Sequence, residues 1–225
     1  MRSILRAFAI LVICMPAWGA GLAALSGTDA AGGLKEALSQ GAGRAVEQLG
    51  TEGGFLKNPK VRIPLPGVLE QAEPLLRMAG RGKDLDKLVT VMNRAAEAAV
   101  PEAKTLLVGA VKSMTVEDAK GILTGGDDSV TQYFRGKTQA QLTQRFLPTV
   151  KAQTDRLAVA AQYNKLAAQA AGVGLVKGDD AQIEGYVTRK ALDGLYLMIA
   201  EEEKAIRRNP LEAAGSLAKK VFGAL

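Results

Sequence analysis

Lys83-Asp84-Leu85-Asp86-Lys87-Leu88-Val89-Thr90-Val91-Met92-Asn93-Arg94-Ala95-Ala96-Glu97-Ala98-Ala99-Val100-Pro101-Glu102, continuing to Met114, is the stretch whose reading decides the fold. Asp84 is a fitting N-cap. Leu85, Leu88, Val89, Met92, Ala96 and Ala99 recur at three- and four-residue spacing, which predicts a helix with one buried face. Pro101 removes one backbone donor and disfavours helical geometry at Val100, so the rod should divide or kink there. Glu102 suits the positive end of the helix that restarts. The other elements are expected to dock around this stretch.

Outward from it, the same period recurs almost everywhere. Ser26 to Leu49 carries a stripe of Leu34, Leu38, Ala42, Val46 and Leu49. Gly41, Gly43 and Gly50 interrupt it, and glycine kept in a helix points to a close neighbour. Val68 to Met78 reads as a short helix that holds Pro74, and Gly80-Arg81-Gly82 as the turn after it. Thr115-Val116-Glu117-Asp118 reads as a capping box with Asp in the Glu position. A short helix is expected over Ser129 to Arg135. Thr138 should cap a longer one reaching Ala171, with Leu142, Phe146, Val150, Leu157 and Ala161 on one face and a kink at Pro148. Asp179 or Asp180 should cap the last long helix, which runs to about Arg208 on Leu192, Leu195, Tyr196, Ile199 and Ile206. Leu211 to Phe222 should form a terminal amphipathic helix.

One segment breaks the pattern. Lys60-Val61-Arg62-Ile63-Pro64-Leu65-Pro66 alternates apolar with other residues, an extended signal. Its prolines restrict it to an edge strand or an ordered arm, and Val173 to Val176 is a candidate partner. With aromatics at only 4% and no fixed-period repeat, the expectation is all-α: a single bundle-like domain over residues 20–225, with a short extended or edge-strand segment near 60–66.

Residues 1–19 read as a signal peptide. Arg2 and Arg6 are its basic start, Ala7 to Met15 its apolar core, and Ala17-Trp18-Gly19 its small-residue cleavage site. A periplasmic location follows. An uncleaved anchor is disfavoured by Pro16, Gly19 and Gly21, and lipidation at Cys14 by Ile13 just before it. Loss of the two arginines takes the formal charge from +6 to +4, with no basic block that would grip nucleic acid.

Four blocks carry a resemblance. They are Met92 to Ala103; Met114 to Leu123; Gly125-Gly126-Asp127-Asp128 with Thr131-Gln132-Tyr133-Phe134-Arg135; and Lys190 to Tyr196 leading to Glu201-Glu202-Glu203-Lys204-Ala205-Ile206-Arg207. Together they resemble the bacterial envelope family known as domain of unknown function 4197. The resemblance implies an exported, mostly helical protein. It brings no activity, cofactor or catalytic set with it.

The chain has no histidine, and its one cysteine, Cys14, leaves with the signal peptide. Ser-His-Asp and Cys-His catalysis therefore lack their parts. Zinc, copper and haem lose their preferred ligands. No cofactor is expected, and the reading leans away from an enzyme. Asp127 and Asp128 are weak metal candidates, since helix capping explains them and the spaced acidic pattern of a calcium loop is missing. Glu97, Asp118, Asp193 and Glu201 are the carboxylates that a glycoside hydrolase would draw on. Glu201-Glu202-Glu203 more simply pairs with Lys204, Arg207 and Arg208 along a solvated face.

Asn93, Arg94 and Glu97 are either a polar joint between helices or the wall of a groove, with Tyr133, Arg135 or Tyr196 opposite. The expected function is thus a non-enzymatic periplasmic protein that binds a protein partner or small ligand. The alternatives are a carboxylate-dependent envelope hydrolase and a lipid or hydrophobic-ligand binder, the last with a peripheral envelope contact through Lys219 and Lys220 of the terminal helix.

Overall fold

A computed structural model describes residues 27–172 and 178–208. The elements run α1 (Gly27–Gly50), α2 (Gly67–Met78), α3 (Gly82–Ala99), a 3-10 turn (Val100–Glu102), α4 (Ala103–Lys112), α5 (Val116–Thr124), α6 (Ser129–Thr154), α7 (Ala158–Gly172), a second 3-10 turn (Gly178–Ala181) and α8 (Ile183–Arg208). No strand occurs among the described residues, and the fold is all-α. The signal-peptide reading, the Val173 to Val176 partner and the terminal helix from Leu211 lie outside the described residues.

The expected division at Pro101 is present. It falls in the 3-10 turn between α3 and α4, where a missing donor costs least. Leu85, Leu88, Val89, Met92, Ala96 and Ala99 are all buried. The geometric centre is elsewhere, however. α6 and α8 have 26 residues each, about 39 Å at 1.5 Å per residue. They lie antiparallel: Glu203 meets Val130, Tyr196 meets Thr138 and Glu184 meets Lys151. α3 and α1 flank this pair. Gly41 faces Glu202 and Ile206 of α8, and Gly50 faces Pro101, so two of the three α1 glycines do mark close neighbours; Gly43 faces open space.

The Thr115 capping box forms as read, with Asp118 N donating to Thr115 Oγ1 at 3.0 Å and Thr115 N to Asp118 Oδ2 at 3.1 Å. Thr138 does not cap a helix. α6 starts at Ser129 and runs through it, and the Thr138 hydroxyl is buried between Phe134 O and Tyr196 Oη. Pro148 also lies within continuous helix. The break comes at Asp155-Arg156-Leu157, and the stripe restarts as Leu157, Ala160, Tyr163 and Ala167 rather than through Ala161, which is exposed.

Of the two readings of 60–66, the structure has the ordered arm and not the edge strand. Val61, Ile63 and Leu65 point inward as the alternation requires, yet no strand pairs with them. The neighbour is a side chain. Asn93 Oδ1 accepts from Ile63 N at 2.8 Å, and Asn93 Nδ2 donates to Ile63 O at 2.9 Å and Val89 O at 2.8 Å. One buried amide thus satisfies Ile63 as an adjacent strand would.

Candidate functional site

The six residues singled out in the sequence fall in three places. Asn93, Arg94 and Glu97 sit one turn apart on α3 and hold the loop that leads into the arm. Glu97 Oε1 accepts from Phe55 N at 3.1 Å and Leu56 N at 3.0 Å, and Arg94 links Glu97 Oε2 (2.7 Å) to Glu52 (2.8 Å). The loop reaches them by a turn at Gly53, whose φ of +92° disfavours any residue with a Cβ. Burial alone would push the Glu97 carboxyl up. The Leu56 amide, the Arg94 guanidinium and the Gly53 and Phe55 amides outweigh it and hold it below its ordinary value. Asn93 and Glu97 are buried and committed to the backbone, which makes this cluster a joint.

Tyr133 donates its hydroxyl to Ala110 O at 2.8 Å and ties α6 to α4. Arg135 and Tyr196 meet on the α6–α8 face, where the guanidinium lies 4.6 Å from the ring centre. Asp127 is exposed. Asp128 takes a hydrogen bond from Gln132 Nε2 at 2.6 Å, and it does not cap α6. That cap comes from Glu203, which accepts from Val130 N at 3.3 Å and Thr131 N at 3.4 Å while pairing with Arg207 at 3.0 Å. Burial pushes the Glu203 carboxyl up despite these partners. Among the described residues, no group of three or more acidic side chains is placed to hold a metal ion.

The four carboxylates weighed for hydrolysis are each committed elsewhere. Glu97 holds the loop, and Asp118 closes the capping box. Asp193 lies 3.5 Å from Arg135 and 3.7 Å from Arg189. Glu201 pairs with Lys60 at 2.6 Å. Glu202 likewise reaches Arg44 of α1, so in the acidic triad only Glu203 follows the i,i+4 expectation.

A cleft of about 420 Å³ opens between α6 and α8, beside Ala181 and Gln182. Gln139, Thr143 and Leu147 are four apart and line one wall from α6. Gly185, Thr188 and Leu192 line the other from α8, with Arg189 and Asp193 at its rim. The antiparallel register sets these two faces against each other. Gly185 and the two threonines are too small to fill the gap, so the groove stays open.

Thr188 distinguishes this cleft. Its Oγ1 is the one buried side-chain polar atom without a partner among the described residues. Thr90, Thr124, Thr138, Thr143 and Thr154 all return their hydroxyls to the carbonyl four residues earlier. Thr188 does not, although it is only 2% exposed. A hydroxyl left unpaired under burial is costly, and its persistence calls for an explanation. Arg189 is held by Asp180 through contacts of 2.7 to 3.0 Å, which fixes the 3-10 turn over one end of the cleft. Tyr163, whose hydroxyl burial pushes up to about 12, donates to Asp180 O at 2.5 Å and secures the same turn from α7.

The cleft is not legible in the sequence because, of its lining residues, only Leu192 and Asp193 stand out there, one as core and one as a carboxylate. The 139-143-147 and 185-188-192 spacings are legible. Their juxtaposition needs the register between α6 and α8.

Comparisons with known proteins add the family. No curated protein and no solved structure gives a significant match. The family model described as "Protein of unknown function (DUF4197)" matches residues 24–223. The match spans nearly the whole chain, and the four sequence blocks lie within it; the chain belongs to the DUF4197 family.

Proposed function

We propose that the protein is an exported, non-enzymatic binding protein that takes a small polar ligand in the α6–α8 cleft. The observation that carries this reading is Thr188, which lines a cleft of mixed polar and apolar surface and whose buried hydroxyl has no partner. A volume of about 420 Å³ falls in the range of small-ligand sites. Export rests on the leader-like residues 1–19, and the lean away from catalysis on the lack of histidine and of a cysteine beyond Cys14. The scattered commitments of Glu97, Asp118, Asp193 and Glu201 weigh against the hydrolase reading, which needs two carboxylates across one substrate.

Thermal-shift screening of small polar metabolites tests the proposal. A ligand that binds only the folded state raises Tm by mass action. Such a compound should raise the Tm of the wild type and leave that of Thr143→Phe unchanged, because the exposed Thr143 can carry a ring that fills the cleft without disturbing the core. Turnover of an envelope substrate that is abolished by Asp193→Asn would overturn the non-enzymatic reading.

A further inference from the structure

We infer that the ligand of this cleft is an uncharged, hydroxyl-rich molecule of the mono- or disaccharide class. The inference rests on the reading of the α6–α8 cleft as a binding site. It follows from which polar groups of the cleft are free and which are already matched.

The charged groups are matched. Arg189 gives Nε and Nη2 to Asp180 at 2.7 to 3.0 Å. Asp193 lies between Arg135 and Arg189 at 3.5 and 3.7 Å. The two arginines and two aspartates cancel. A phosphate or carboxylate ligand would have to displace Asp180 from a two-pronged contact, which is among the stronger pairings open to arginine. A cationic ligand would have to draw Asp193 away from two guanidinium groups.

The groups left for a ligand are neutral. Thr188 Oγ1 is unpartnered, and a hydroxyl both donates and accepts. The exposed amides of Gln139 and Gln182 offer both kinds of site at the cleft's edges. A ligand that satisfies all three must itself mix donors and acceptors, as vicinal hydroxyls do. Leu147 and Leu192 add apolar wall against which the C–H face of a sugar ring packs. An alkyl chain would leave Thr188 unpaired, so a purely apolar occupant gains nothing from the feature that marks the site.

Amide chemical shifts of the ¹⁵N-labelled full chain test this, with trehalose, cellobiose, glucuronate, inorganic phosphate and octanoate as probes. At least one neutral disaccharide should shift the amides of Gln139, Thr143, Thr188 and Arg189 saturably in the millimolar range. Binding should weaken at least tenfold in Thr188→Val, whose remaining spectrum stays that of the wild type. Thr143→Phe should block it as well. Shifts of these amides by glucuronate, phosphate or octanoate alone would overturn the saccharide class and leave the cleft as a binding site. If none of the five probes moves them, both the class and the site are overturned.

Discussion

Asn93 and Thr188 are both buried polar residues on helices, and they behave in opposite ways. Asn93 spends one acceptor and two donors on Ile63 and Val89. Asn93→Ala should cost about 2–3 kcal/mol in urea denaturation, because it leaves both backbone groups of Ile63 unpaired under burial. Thr188 spends nothing. Thr188→Val should leave the ligand-free protein unchanged or more stable by up to about 1 kcal/mol, since it removes an unsatisfied hydroxyl at nearly constant shape. Thr138→Val is the control. It strands the Tyr196 hydroxyl and should destabilise by about 1 kcal/mol in the same measurement.

Two buried glutamates have opposite pH signatures. Glu97 is held below its ordinary value of 4.5, so its folded carboxyl binds protons less tightly than in the unfolded chain. Its contribution is present above pH 4.5 and is lost as pH falls through the folded value. The stability gap between wild type and Glu97→Gln should therefore narrow as urea titrations move from pH 7 to below 4.5. Glu203 is shifted upward by burial, so its ionisation opposes folding at neutral pH and that penalty disappears on acidification. The polar character of the Asn93-Arg94-Glu97 group was legible in the sequence; its partner was not. The groups it grips are backbone amides of the 53–63 segment, which no side-chain pattern announces.

At the scale of elements, periodicity served well wherever one face is buried against a neighbour. The stripes of α1, α3 and α8 were all legible, and so were the turn at Pro101 and the Thr115 cap. Errors came where a local signal was overridden. Thr138 has the chemistry of a cap, yet Tyr196 offers it a partner inside the core, and α6 runs straight through. Asp128 stands at the start of α6, but Glu203 arrives from the far end of α8 and takes the amides. The alternation at 60–66 marks an extended arm, and the docking of that arm depends on a gap in α8. A Cβ at Gly194 would lie 2.7 Å from Phe55 Cε1 and 3.2 Å from Val61 Cβ. Gly194→Ala should therefore destabilise by about 1–3 kcal/mol, an overpacking cost. Faster amide exchange confined to residues 53–66 should accompany it.

At the scale of the whole molecule, the all-α architecture follows from composition and period, while the central position of the α6–α8 pair does not. Two 26-residue helices are equally plausible side by side or apart until their register is known. That register creates the cleft, places Thr188 on its wall and leaves the charged residues at its rim mutually neutralised. No described helix is long and apolar enough to cross a membrane.

Native mass spectrometry of wild type and Thr188→Val, each purified gently from the cells that produce it, tests the cleft most directly. The wild type should carry a small non-covalent adduct that dissociates on activation, and the variant, equally folded, should appear at the bare chain mass. An adduct retained in full by Thr188→Val would contradict the assignment of this cleft as the ligand's site.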